Sequence, residues 1–185
     1  GKTPITTDLG IKDNIISEIG KIDSDKGKEV IDVDGLAISP GFVDMHTHSD
    51  FTLMVNGRAE SQVHQGVTTE VVGQCGISCA PVNNDKDIKQ MAIGFCENSH
   101  KLGWRSFKEY LASLEKNKLG VNVSAFVGHG AVHNNVLGNE LRAPDHNEIV
   151  KMCKIVEESL DDGAAGFSSG LEYWPGNLAT SQDLV

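Results

Sequence analysis

The sequence predicts an α/β protein built on a parallel sheet, and two observations support that prediction. From Leu36 onward, apolar runs typical of buried strands alternate with segments of helical periodicity, a pattern that indicates βα units. The 185 residues, of which 39% are hydrophobic and 20 are glycine, suffice for one ordinary domain or for part of a larger one. Periodicity leaves two architectures open, namely an open doubly wound sheet and part of an eight-stranded barrel.

The N-terminal segment predicts a small β region that precedes these units. The runs "DLGIK" and "IISEIGKI" flank Asp13-Asn14, a pair that tolerates the positive φ of a tight hairpin turn. The run "KEVIDVDG" alternates like a strand and ends on Asp34-Gly35, another turn signal. We therefore expect a hairpin and a further strand in residues 1–35, and the barrel-type units in residues 36–185.

Four candidate strands and the helices between them make up the remainder. The strands are "GFVDMHTH", "TTEVVGQC", "VNVSAFVGHG" and "GAAGFSSG". One helix is expected to start at Ser106, because Glu109 completes a capping box, and another at Asp145 with Glu148. The second helix is expected to stop at Gly163. Its predicted apolar face consists of Ile149, Met152, Cys153, Val156 and Leu160.

Composition and charge exclude several classes of function. The net charge of −10 is spread along the chain without a Lys/Arg cluster, which argues against a nucleic-acid partner. No apolar run approaches the roughly 20 residues of a membrane helix, and the N-terminus does not resemble a signal peptide. Cysteines at only four positions do not form a dense disulfide framework, so reduced thiols are expected. We therefore expect a soluble cytoplasmic protein, with no particular oligomeric state indicated.

The first candidate strand carries a possible metal-binding pattern. Asp44, His46 and His48 lie two residues apart, so in a strand their side chains would share one face. Neutral imidazole is the commonest protein ligand for zinc, and Asp44 could orient one of the histidines. The alternative is that a short HxH pattern arises by chance and that its histidines are ordinary hydrogen-bonded residues.

Cys75 lies at the end of the second candidate strand and could supply a third ligand. Zinc accepts mixed Cys and His ligation, and Gly73 and Gly76 beside Cys75 allow close approach of the backbone. The alternative is an inert buried cysteine. His129 and His133 near the end of the third strand are expected to have structural or surface roles.

These segments also carry a family resemblance. "SPGFVDMHTHSD" resembles the first barrel strand of the amidohydrolase superfamily. "GVTTEVVGQCGISCAP", "FVGHGAV" and "GAAGFSSGLEYWPGNLAT", in this order, resemble the D-aminoacylase family of N-acyl-D-amino-acid deacylases. His46 and His48 match that family's HxH ligands, and Cys75 matches its ligand cysteine. Gln74 stands where the family usually has Asn, and His133 where an Arg is common.

The resemblance implies an incomplete (β/α)₈ TIM-type barrel of about four βα units, preceded by part of a small β-sandwich. It implies a zinc-dependent hydrolase, with one or two zinc ions in the intact enzyme, that cleaves the amide bond of small N-acyl-D-amino acids. Further ligands and the catalytic residues are expected beyond Val185, so the chain alone is expected to be inactive. Tyr173 and Trp174 are expected to line the substrate pocket, although an aromatic pair is more often part of a core.

Two other functions remain as alternatives. A cyclic amidohydrolase resembling dihydropyrimidinases or dihydroorotases would share the HxH pair, but those enzymes bridge two metals with a lysine on the fourth strand, and "GAAGFSSG" contains none. The other alternative is a non-catalytic scaffold of the same superfamily.

Overall fold

The computed structural model describes residues 3–84, 86, 103–172 and 174–184. The chain divides into two compact units, Gly1–Pro40 and Gly41–Val185. The observed division lies five residues after the boundary expected from the sequence.

The first unit contains the predicted hairpin. Strands β1 (Asp8–Lys12) and β2 (Ile15–Gly20) pair in antiparallel fashion. The connecting residues Asp13 and Asn14 have φ values of 50° and 64°, as a two-residue primed turn requires. The hairpin prediction is therefore confirmed.

The strand predicted in "KEVIDVDG" is wrong. The segment is irregular, and its side chains Val30 and Ile31 are 63% and 75% exposed. Only the turn at its end forms, where the amide of Leu36 donates to the carbonyl oxygen of Val33 at 2.9 Å. Alternation of apolar and polar residues makes a strand only when a partner edge accepts its hydrogen bonds, and the described residues provide none here.

The second unit contains parallel strands that follow the chain order. They are β3 (Phe42–Asp44), β4 (Val67–Val72), β5 (Asn122–Ala125), β6 (Val127–Gly128) and β7 (Phe167–Ser168). Strand β4 pairs with β3 and β5, and β6 pairs with β7. Only Phe126 separates β5 from β6, and its amide donates to the carbonyl oxygen of Val72 at 3.0 Å. The four predicted strand segments are thus present, parallel and in the expected order.

Helices connect and cover these strands, and their starts follow the sequence signals. They are α1 (Thr52–Val55), α2 (Glu60–Val63), α3 (Phe107–Lys116), α4 (His129–Leu137), α5 (His146–Asp161) and α6 (Ser181–Leu184). Both predicted capping boxes form: Ser106 and Glu109 cap α3, and Asp145 and Glu148 cap α5.

The buried face of α5 differs from the predicted one. Met152 is buried as expected, but Cys153 and Leu160 are exposed. The core side is completed by Ile155 and by Ser159, whose hydroxyl donates to the carbonyl oxygen of Ile155 at 2.7 Å. A serine that satisfies its hydroxyl within its own helix can be buried, and hydrophobic periodicity does not register it.

The core of this unit lies between the parallel strands and their helices. Val72 and Val127 of the strands are fully buried, and Phe107 and Tyr110 of α3 belong to the same cluster. Nearby, the indole of Trp104 donates to the carbonyl oxygen of Cys79 at 2.7 Å. This packing fixes the C-terminal ends of β4 and β6. The loop that carries Cys75 leaves the end of β4.

The cysteines and the helices bear on the expectations of reduced thiols and of a chain without a membrane helix. Among the described residues, Cys75, Cys79 and Cys153 form no disulfide bond, and Cys96 lies outside those residues. Among the helices that the structure describes, none has the length and apolar character needed to cross a membrane.

Candidate metal centre

The two histidines of the HxH pattern lie on a bend that follows β3. The strand ends at Asp44, four residues before His48, so neither histidine lies within it. A carboxylate oxygen of Asp44 accepts a hydrogen bond from the backbone amide of His46 at 3.2 Å, so Asp44 orders the main chain of the bend. The rings of His46 and His48 nevertheless lie side by side, with centroids 5.5 Å apart and planes inclined at 71°.

Cys75 lies in a short loop, Gly73–Gly76, that follows β4. Its backbone adopts the left-handed conformation, with φ of 56°, and the two glycines have φ of 78° and 74°. A Cβ atom on Gly73 would collide with the carbonyl oxygen of Phe126, so this position also requires glycine sterically. The loop brings the sulfur of Cys75 to 3.2 Å from Nε2 of His46.

The three predicted ligand side chains therefore converge. One ligand atom each from His46, His48 and Cys75 lie within 4.8 Å of one another. Two atoms that bind one tetrahedral zinc ion at about 2.0 and about 2.3 Å stand about 3.5 Å apart. The observed 3.2 Å between nitrogen and sulfur is close to that value, and two imidazoles with a thiolate form a donor set that zinc accepts. The residues present thus fit a zinc ion.

The protonation of His48 favours the same chemistry. Burial lowers the pKa of His48, and the neighbouring His46 lowers it further. The neutral imidazole, which is the form that binds metals, is therefore the form that this environment stabilises.

Two acidic side chains close to the centre are buried, and sequence reasoning missed both. Asp50 is 2% exposed, and burial raises its pKa to about 7, with the charge of Glu70 adding to the rise. Glu70 is fully buried on β4, and one of its oxygens accepts a hydrogen bond from the hydroxyl of Ser49. The signal that could have found Glu70 is a single carboxylate within the apolar run "VTTEVV".

The residues predicted for the substrate pocket are described only in part. Tyr173 lies outside the described residues. Trp174 is half-buried, and its ring packs edge to face against His133, with centroids 6.2 Å apart. His129 and His133 are each 1% exposed, so the surface role that was one of the two expected for them is excluded.

Comparison with known proteins gives matches over nearly the whole chain. The sequence profile of the amidohydrolase family matches residues 29–180. The D-aminoacylase of Alcaligenes xylosoxydans xylosoxydans is 33% identical over 178 residues, which cover 96% of this chain and 36% of that relative. The chain thus spans about a third of the length of this relative.

Solved structures give a consistent result. A crystal structure of D-aminoacylase, described as defining a novel subset of amidohydrolases, superposes with a TM-score of 0.86 at 30% sequence identity. The superposition covers 98% of this chain and 38% of the D-aminoacylase chain. The N-acyl-D-glutamate deacylase of Bordetella bronchiseptica, complexed with zinc and a phosphonate inhibitor that mimics the tetrahedral intermediate, superposes with a TM-score of 0.82 at 31% identity. This superposition covers 96% of this chain and 37% of the deacylase chain.

Proposed function

The chain belongs to the amidohydrolase family, and on that premise we propose that it carries zinc ligands of a hydrolase that cleaves the amide bond of N-acyl-D-amino acids. The observation that carries this proposal is the convergence of His46, His48 and Cys75 within 4.8 Å. The relatives also support the proposal, because proteins that match 96% or more of the chain include D-aminoacylases and related deacylases. The α/β fold agrees with those structures.

The proposed architecture is the first part of a (β/α)₈ barrel, about four βα units, preceded by part of a small β-sandwich. The parallel order of β3, β4, β5 with β6, and β7 supports the barrel units. The separate β1–β2 hairpin supports the sandwich part. In barrels of this class the active site lies at the C-terminal ends of the strands, and both loops that carry the proposed ligands leave such ends.

Each proposed ligand has a defined task. His46 and His48 would each bind zinc through a ring nitrogen, and Cys75 would bind it as the thiolate. Asp44 keeps the backbone of His46 in place through the hydrogen bond to its amide. Zinc held by these residues, as one ion or as part of a pair, would supply a Lewis acid for the scissile carbonyl and an activated water. Tyr173 and Trp174 are proposed to line the pocket for the acyl or side-chain group of the substrate.

The proposal is tested by metal analysis together with activity. The protein, as its natural reading frame encodes it, is expected to contain zinc and to hydrolyse N-acetyl-D-amino acids but not their L-isomers. Cys75→Ala is expected to lose most of both properties. Cys153→Ala is the matched control, because Cys153 is an exposed free thiol of α5 and should leave both unchanged.

The same assays separate the alternatives. Hydrolysis of dihydropyrimidine or dihydroorotate substrates, without hydrolysis of N-acyl-D-amino acids, would support a cyclic amidohydrolase and contradict the proposal. Zinc binding without turnover of either substrate class would support a non-catalytic scaffold. A Cys75→Ala protein with unchanged zinc content and activity would remove Cys75 from the site.

A further inference from the structure

The loop that carries Cys75 is held in a conformation that it would not adopt by itself. Cys75 has a positive φ of 56°, and non-glycine residues enter this region mainly where surrounding contacts keep them there. The flanking glycines also have positive φ values, so the whole turn from Gly73 to Gly76 departs from regular structure. The position of the thiol therefore depends on what holds the two ends of this turn.

A single hydroxyl, that of Ser168, joins both ends. Its oxygen accepts a hydrogen bond from the amide of Gly76 at 3.0 Å and donates one to the carbonyl oxygen of Gly73 at 2.5 Å. These two bonds bracket Cys75 and span 92 and 95 positions of sequence. Two other groups each contact one end of the loop. The carboxylate of Asp50 accepts a hydrogen bond from the amide of Gly73 at 2.8 Å, and the amide of Gly130 donates one to the carbonyl oxygen of Gly76 at 2.9 Å.

The fold brings Ser168 to this loop through β6. Ser168 is the last residue of β7 and is paired with Gly128, the last residue of β6. A Cβ atom on Gly128 would clash with the backbone of Gly76, so the absence of a side chain there lets the loop lie against β6 and reach β7. A serine at the end of β7 can then bond both ends of the loop, because a hydroxyl can donate and accept at once.

We propose that Ser168 is a positioning residue that holds the thiol of Cys75 in place for zinc. It contributes no ligand atom, and it acts through the backbone of the loop. This inference rests on the proposed zinc site. Removal of the hydroxyl leaves the carbonyl of Gly73 and the amide of Gly76 without this partner, and the left-handed turn at Cys75 then loses its link to β7.

The test compares four variants of the protein as its natural reading frame encodes it: Ser168→Ala, Ser168→Thr, Ser169→Ala and Cys75→Ala. Ser168→Thr keeps the hydroxyl. Ser169 is the matched control, because it is the adjacent serine and is exposed. Three quantities are measured: the zinc dissociation constant by competition with a chromogenic chelator, the thiolate-to-metal charge-transfer absorption of the cobalt-loaded protein, and the thermal unfolding of the metal-free protein.

Ser168→Ala is expected to weaken zinc binding by about ten- to a hundred-fold, the range typical of residues that orient metal ligands. It is also expected to diminish the cobalt–thiolate absorption, which reports directly on sulfur ligation. Ser168→Thr should restore both, and Ser169→Ala should not alter them.

The outcomes that overturn the inference are distinct from failure of the zinc site itself. Wild-type zinc affinity and absorption in Ser168→Ala, with both lost in Cys75→Ala, would overturn this inference alone. Failure of the Ser168→Ala protein to fold would also overturn it. So would a Ser168→Thr protein that binds zinc as weakly as Ser168→Ala and whose metal-free form is destabilised to the same extent. Equal zinc binding by Cys75→Ala and wild type would instead overturn the zinc site, and this inference with it.

Discussion

At the scale of single residues, the amide of Gln74 joins the two chain segments that carry the proposed ligands. Its Nε2 donates to the carbonyl oxygen of Met45, next to His46, at 2.9 Å and to that of Val71 at 3.3 Å. We expect Gln74→Leu to lower the free energy of unfolding by about 1–3 kcal/mol, because two carbonyl groups lose a partially buried donor. Gln74→Asn keeps the amide on a side chain shorter by one methylene, and its effect should be smaller.

Urea unfolding of the metal-free protein measures these changes. Gln65→Leu is the matched control, since Gln65 is exposed and its amide makes a similar bond, to the carbonyl oxygen of Ser61 at 2.8 Å. If Gln74→Leu is no less stable than Gln65→Leu, the amide of Gln74 does not hold the two segments together.

The buried histidines of α4 make stability depend on pH. Burial lowers the pKa of both His129 and His133. The negative charge of Asp183 raises the pKa of each and so opposes this shift. Around His133, the backbone of Arg142 and the carboxylate of Glu148 raise the pKa and the guanidinium of Arg142 lowers it. Because the net shift is downward, the unfolded chain binds protons more readily, so stability is lost as the pH falls below about 6.5.

We therefore expect the double variant His129→Gln, His133→Gln to lose less thermal stability than wild type between about pH 7.5 and about pH 5.5. His146→Gln is the control, since this histidine is exposed at the start of α5. Chelated protein is used, so that metal release does not contribute. A wild-type pH dependence in the double variant would contradict the expectation.

The candidate ligands can be picked out from the sequence, but the residues that hold them cannot. His46 and His48 stand two apart, and Cys75 ends an apolar run between glycines, so local pattern suffices to find them. Ser168 and Gln74 act through bonds to backbone groups that are distant in sequence. The position of a serine or a glutamine in the sequence does not indicate such a partner, because the contact forms only when the strands pair.

At the scale of elements, the capping box of α3 gives a direct measure of local stability. Ser106 accepts from the amide of Glu109 at 3.2 Å, and a carboxylate oxygen of Glu109 accepts from the amide of Ser106 at 3.2 Å. We expect Ser106→Ala to reduce the free energy of unfolding by about 1 kcal/mol, because an N-terminal amide loses its partner.

The control for this change lies in the same helix. Ser113 bonds only the carbonyl oxygen of Glu109 within its own helix, at 2.7 Å, and alanine has the higher helix propensity. Ser113→Ala should therefore stay within about 0.5 kcal/mol of wild type in urea unfolding. Equal effects of the two substitutions would show that the capping box contributes nothing measurable.

Sequence predicts elements well where their signals are local and poorly where they depend on a partner. The starts of α3 and α5 follow from capping residues three positions apart, which need no tertiary contact. The strand expected around Val30 does not form, because no strand in the part of the chain that the structure describes pairs with it. On α5, Cys153 is exposed and Ser159 is buried, since packing, and not periodicity alone, decides which face meets the core.

At the scale of the whole molecule, the second unit places its candidate ligands together but exposes much of the segment that leads to them. Phe42, Val43 and Met45 are 60%, 52% and 62% exposed, although strands of a parallel sheet are normally covered on both faces. Among the described residues, the site brings together three candidate ligand side chains. The chain also spans only about a third of the length of the D-aminoacylase that it matches.

We therefore expect these 185 residues, produced as an isolated polypeptide, to hydrolyse no N-acetyl-D-amino acid and to bind zinc weakly. They are also expected to bind the dye ANS, because apolar strand residues such as Phe42 are accessible to it. Activity is measured by release of the free D-amino acid, and zinc binding by chelator competition, with Cys75→Ala of the same polypeptide as the control for residual binding. Measurable turnover by the isolated polypeptide would contradict this expectation, because it would mean that the general base and a sufficient ligand set already lie within it.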